Sequence, residues 1–171
     1  MPVKVEVVRD AQSMSDFMLY HIYTSGAGIM TLVMGVLNIG LTVSFALKGR
    51  FTYMVIFLLF ALLILVVFPY MIKSKVRRQI TDSSNERNRV TYEFADDGIT
   101  TTTVDDSGKA SWGKFKKAVS YKSVVILYDA SKRAIILPVE QLGDNYGPVV
   151  DLIYSHMPAP SVRIRRADAK R

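Results

Sequence analysis

Residues 28–72 read GIMTLVMGVLNIGLTVSFALKGRFTYMVIFLLFALLILVVFPYMI. The first twenty of these, 28–47, carry no charge, and 54–68 contain no polar side chain. Twenty helical residues at 1.5 Å each span about 30 Å, the thickness of a bilayer's hydrocarbon core. A soluble fold that buried two helices apolar on every side would need far more surrounding chain than 171 residues supply. Two membrane spans are therefore expected, 28–47 and 51–72.

Only Lys48, Gly49 and Arg50 lie between the spans. So short a link forces an antiparallel hairpin, with Gly49 free to take a positive φ at the turn. It also puts both termini on one side of the membrane. Lys73, Lys75, Arg77 and Arg78 crowd the exit of the second span, against two cations in the turn. By the positive-inside rule the heavier cluster faces the cytoplasm. A cleaved signal peptide is not expected, because a long arm precedes the first span and a second span follows at once. Neither span holds an ionisable group, which argues against an ion or proton pathway. Thr31, Gly35, Asn38 and Thr42 share one helix face by spacing and are the candidates for helix packing, within the hairpin or between protomers.

Outside the spans the chain is polar and basic, with a formal net charge of +7. In a membrane protein that excess points to orientation and to anionic headgroups, and no recognised nucleic-acid motif accompanies it. The absence of cysteine excludes disulfides, thiolate metal sites and cysteine nucleophiles. Val3–Val8 alternates valine with charge like a half-buried strand. Asp10 and Ser13 are N-cap candidates for a following apolar helix, and Asp16 suits a first turn. Since both termini share a side, that strand is free to pair with the domain after the hairpin.

Residues 81–89 read as a polar linker. Beyond them come short β-branched runs and turn residues: 90–94, a turn at Ala95-Asp96-Asp97-Gly98, 99–104, and a second turn at Asp105-Asp106-Ser107-Gly108. Further strands are expected at 111–120, 123–129 and 133–139, with Ala130-Ser131-Lys132 closing the last hairpin. Pro148 opens a short helix that Pro158 and Pro160 end. The expected fold is α+β: a transmembrane hairpin plus an antiparallel domain of about five strands closed by a C-terminal helix. Its parts are an arm and pre-membrane helix (1–27), the hairpin (28–72), a basic juxtamembrane segment and linker (73–89), the β domain (90–158) and a basic tail (159–171).

Thr91-Tyr92-Glu93-Phe94, Asp97-Gly98-Ile99 and Ser111-Trp112 leading to Phe115 and Val119 resemble the bacterial YcxB-like family. Val125-Ile126-Leu127-Tyr128 and Ala134-Ile135-Ile136-Leu137-Pro138 are similar to the end of that family's domain. The resemblance implies a bacterial inner-membrane protein with its β domain in the cytoplasm, similar to pleckstrin-homology-like domains. It supplies no established activity and no catalytic residues.

The acidic pairs Asp96-Asp97 and Asp105-Asp106 lack calcium-loop spacing and read as turn chemistry. His21 and His156 have no matched partners in sequence, and no phosphate loop or nucleophile elbow is present. No catalytic, metal or cofactor residues are expected. The surface candidates are Lys73, Lys75, Arg77 and Arg78 together with Lys114, Lys116, Lys117 and Lys122, each worth about 1 kcal/mol beside anionic lipid. The expectation is a non-enzymatic membrane-anchored module that engages lipid or protein partners, with an exposed sheet edge as one route and self-association through the spans as another. The alternative is an accessory subunit of a larger membrane complex, and a lipid-modifying enzyme comes last.

Overall fold

A computed structural model describes residues 2–81, 89–131 and 133–164. The chain divides into two compact units, Met18–Arg78 and, from both sides of it, Met1–Phe17 with Gln79–Arg171.

In the first unit α2 (Gly26–Leu47) and α3 (Phe51–Leu62) pack as a helical hairpin. Ser25 caps α2, its Oγ accepting from the Gly28 N–H at 3.1 Å. Gly28 is required by contact: a Cβ there would stand 1.8 Å from the Ile22 carbonyl oxygen. At the turn Gly49 has φ 66°. The N–H groups of Gly49 and Arg50 donate to the carbonyls of Ala46 (3.1 Å) and Phe45 (2.9 Å), so the end of α2 is closed by its own turn.

The second helix continues well past residue 72. It passes through a π-helical turn, Leu63–Val67, into α4 (Phe68–Thr81). Pro69 accounts for the irregularity, since it offers no N–H to the carbonyl four residues back and its ring crowds that carbonyl. The basic juxtamembrane segment from 73 is thus helical to Thr81, and residues 82–88 of the linker expected at 81–89 lie outside the described residues. The spans Gly26–Leu47 and Phe51–Ile80 are long and apolar enough to cross a membrane, and only 11% and 6% of their most apolar windows are buried within the protein. The core helix of a soluble fold would be mostly buried.

The second unit is built on two four-stranded sheets. Sheet A runs β1 (Val3–Val8), β2 (Arg89–Ala95), β3 (Gly98–Thr102), β4 (Ser107–Ala110), all antiparallel. β1, from before the hairpin, pairs with β2, from after it, in the register Val3↔Phe94 to Val8↔Arg89. The alternation of β1 sets its faces: Val5 and Val7 are buried beside Val90, Tyr92 and Phe94, while Lys4 and Glu6 face outward. Sheet B has the order β7 (Ala134–Pro138), β6 (Val124–Asp129), β5 (Phe115–Tyr121), β8 (Val162–Arg163), with β8 parallel to β5. Helix α6 (Tyr146–His156) adds Val149, Val150 and Ile153 to the core shared by both sheets.

Several expectations need correction. Residues 111–120 do not form one strand: Trp112–Lys114 is a 3-10 turn that carries the chain from sheet A to sheet B, and β5 begins at Phe115. Ser107 and Gly108 belong to β4 and not to the turn before it. The domain expected at 90–158 with about five strands has six among its described residues, β2 to β7. Helix α6 starts at Tyr146, so Pro148 lies third in its first turn, where a missing N–H costs no hydrogen bond. A short helix α5 (Val139–Leu142) precedes it. The tail is ordered at its start: β8 and buried Ile164 extend the domain, while Arg165, Arg166, Lys170 and Arg171 lie outside the described residues, as does Lys132. Asp16 is not a first-turn acid; it is buried midway along α1 (Ala11–Tyr23), whose N-cap is Asp10, accepting from the Ser13 N–H at 2.8 Å.

Candidate functional site

The cations singled out by sequence separate into groups with different roles. Lys73, Lys75, Arg77 and Arg78 are exposed along α4. Lys116 is the extra residue where the β5–β6 register shifts, so it projects outward while Phe115 and Ala118 stay in the core. Lys117 is half-buried and already engaged.

Lys122 is a clamp residue. It sits at φ 47° in the two-residue turn between β5 and β6. Its ammonium lies 3.4 Å from a carboxylate oxygen of Asp16, whose side chain is 5% exposed. The other oxygen of Asp16 accepts from Ser123 Oγ at 2.8 Å. A buried carboxylate from before the hairpin thereby holds a turn from after it, with Phe17 and Tyr128 in ring contact alongside.

Lys114 belongs to a different feature. A cleft of about 290 Å³ opens between β4, the start of β5 and the β6–β7 turn. Its floor is apolar, from Ala110, Phe115 and Ile135, and its charged lining is Lys109, Lys114, Arg133 and Asp129. Lys109 also pairs with Asp97 of the β2–β3 turn, and that hydrogen bond holds the Asp97 carboxyl below the usual carboxylate range. Around Asp129, burial pushes the carboxyl up. The hydrogen bonds from the Arg133 N–H (2.9 Å), Arg133 Nε (2.9 Å) and the Ser131 N–H (2.8 Å) more than reverse that and lower it. Lys114 has no ion-pair partner among the described residues. Sequence reading missed Lys109 because β4 is short and glycine-containing and reads as turn, and missed Asp129 and Arg133 because they stand at the ends of a hairpin that only the fold brings beside β4.

Beneath this region Trp112 acts as a rivet. Its Nε1 donates to the Ala95 carbonyl at 2.8 Å, and its ring packs at 6.4 and 6.3 Å from Phe94 and Phe115. His156 stacks on it at 5.0 Å with planes 13° apart, and Asp96 lies 3.9 Å from His156 Nε2. The sequence offered no acid for His156; the fold brings one from a distant turn.

In the hairpin, Gly35 and Asn38 are buried and Thr31 and Thr42 half-buried. A Cβ on Gly35 would stand 2.6 Å from Leu65 Cδ2, so the glycine serves packing inside the hairpin. Asn38 Nδ2, Thr31 Oγ1 and Thr42 Oγ1 donate to backbone carbonyls of α2 itself, at 2.7, 2.9 and 2.8 Å. Phe45 stacks on Tyr53 and Phe57 nearer the turn.

Residues 94–153, from the end of β2 to within α6, match the family model described as YcxB-like protein. Over this segment the chain is similar to the YcxB-like family. No curated protein and no solved structure matches the chain.

Proposed function

We propose, from the YcxB-like assignment and from a hairpin inserted between two paired strands, that this chain is a non-enzymatic, membrane-anchored interaction module. The hairpin crosses the bacterial inner membrane twice, and the β domain sits in the cytoplasm with both termini. The carrying observation is the β1–β2 pairing. A hairpin that left and returned on opposite sides could not deliver β1 and β2 to one sheet, and membrane segments do not leave sheet edges in lipid. Four antiparallel strands, then three more, then a closing helix is also the order of a pleckstrin-homology-like domain, and such domains serve recognition. The exposed cations of α4 and Lys116 favour an anionic lipid surface.

The absence of native cysteine allows a direct test by single-cysteine labelling in right-side-out and inverted vesicles. Gly49→Cys should label with an impermeant maleimide only from outside, and Val104→Cys, at a 65% exposed site, only from the cytoplasmic face. Labelling of both from one face would sink the two-span reading.

A further inference from the structure

Sheets A and B each end, among the described residues, in an outer strand beside the cleft: β4 in one and β7 in the other. The register determines which backbone groups those edges offer. Ala95 and Gly98 close a two-residue hairpin and so form its hydrogen-bonded pair. Strict alternation from there turns Ile99 and Thr101 toward β4, where they meet Ala110 and Gly108. Ser107 and Lys109 then direct their backbone groups away from β3; the Ser107 N–H donates to Asp106 Oδ1 at 2.8 Å, which leaves the Ser107 C=O and both groups of Lys109 for the free edge. On β7 the Asp129 N–H donates to the Arg133 carbonyl, and the same alternation turns the backbone of Ala134 outward. Gly108, Lys109, Ala110 and Ala134 all line the cleft.

We infer that the cleft receives an extended acidic segment of a partner protein, added as a strand along β4. This rests on the interaction-module reading and names the partner's chemistry. Backbone pairing supplies the affinity in strand addition, and pockets beside the edge supply the selection. Here the floor of Ala110, Phe115 and Ile135 takes an apolar side chain, and the one cation left over once Lys109 pairs with Asp97 and Arg133 with Asp129 favours a flanking acid. Among the described residues Lys114 is the cation without an ion-pair partner, whereas Lys109 and Arg133 already hold carboxylates. A lipid phosphodiester carries one negative charge as a carboxylate does, so the outer backbone edge of β4 is what favours a peptide over a headgroup.

The test uses the full chain in nanodiscs of zwitterionic lipid. The probe is a blocked eight-residue peptide alternating valine with glutamate, against one alternating valine with lysine. A third peptide keeps the glutamates but is N-methylated at every second residue. The acidic peptide should bind, slow amide exchange at Lys109, and bind at least ten-fold more tightly than the other two. Lys114→Glu should reverse the preference between acidic and basic peptides while exchange in β6 stays unchanged, which shows the domain folded. Equal binding of the N-methylated peptide overturns strand pairing. Displacement of the acidic peptide by vesicles of phosphatidylglycerol would assign the cleft to lipid and overturn the inference, as would no binding at millimolar peptide. Failure of the module reading shows separately, in the vesicle labelling of Gly49→Cys and Val104→Cys.

Discussion

The side-chain amide of Gln141 brackets the backbone of Val8, its Oε1 accepting from the Val8 N–H at 2.7 Å and its Nε2 donating to the Val8 carbonyl at 2.9 Å. A side chain from α5 thus imitates a neighbouring strand at the last residue of β1, just before the chain leaves for the hairpin. Nε2 reaches Asp10 as well, at 3.3 Å, so the same amide touches the N-cap of α1. Residues 133 positions apart are joined where the domain's two sequence segments meet.

Gln141→Ala should leave both backbone groups of Val8 without partners and cost about 1–3 kcal/mol. Denaturant unfolding of the full chain in detergent measures the loss, and exchange of the β1 amides should accelerate more than exchange in β6. Gln141→Glu keeps the acceptor and loses the donor beside Asp10, so it should be no milder than alanine. A β1 that exchanges at its normal rate in both variants would refute the bracket.

The Asp16 clamp predicts an asymmetry between its two ends. Asp16→Ala strands the Ser123 hydroxyl and removes a charged hydrogen bond, at a cost of about 1.5–3 kcal/mol. Lys122→Gly loses an ion pair whose lysine is 50% exposed, worth at most about 1 kcal/mol, and relieves a positive φ that costs a non-glycine residue a similar amount. It should therefore change stability little. Equal losses at both ends would show that the lysine, and not the serine, carries the clamp.

Gly98 has φ 150°, and a Cβ there would stand 2.4 Å from the Ala110 carbonyl oxygen. Gly98→Ala strains the backbone and pushes β4 off β3, with an expected loss of about 2–4 kcal/mol. Gly113→Ala, where nothing lies within 4 Å, should change stability by less than about 0.5 kcal/mol. The thermal unfolding midpoints of the two variants should separate accordingly.

In the hairpin Gly35 and Gly40 give a matched pair. Gly35→Ile drives into Leu65 and should reduce resistance to SDS denaturation by about 1–3 kcal/mol. A Cβ on Gly40 would meet nothing within 4 Å, so that position should tolerate isoleucine without loss. Loss at Gly40 instead would place a partner helix on that face.

Both ends of the pH range should show in stability. Asp97 and Asp129 are lowered in the folded chain, so below the ordinary carboxylate value of 3.8 the unfolded chain binds more protons. Their stabilisation is present above that pH and is lost as pH falls through the folded values. Asp97→Asn and Asp129→Asn should each flatten the acid limb. Burial raises the Tyr92 phenol, with Arg9 pulling it partly back. Above 10.0 the unfolded phenol ionises first, so stability falls with rising pH, and Tyr92→Phe should remove that part of the alkaline limb.

The sequence alone determined the elements whose physics is local. Length and hydropathy marked the two spans, Gly49 marked their turn, and strict alternation in Val3–Val8 marked a strand with one buried face. It also left this strand free to pair with the domain beyond the hairpin, because a three-residue link makes the two helices antiparallel. Only the tertiary structure decided which strand that was, and in what register. It alone turned Asp16 and Lys122 from a helix-start acid and a surface cation into a clamp, gave His156 its ring and its acid, and assembled the Lys109–Lys114–Arg133 cleft from three separate strands and turns. Pattern along a chain reports burial and local backbone preference. Which distant side chains come within 3 Å depends on sheet order and register, and those are settled by packing among residues up to 133 positions apart.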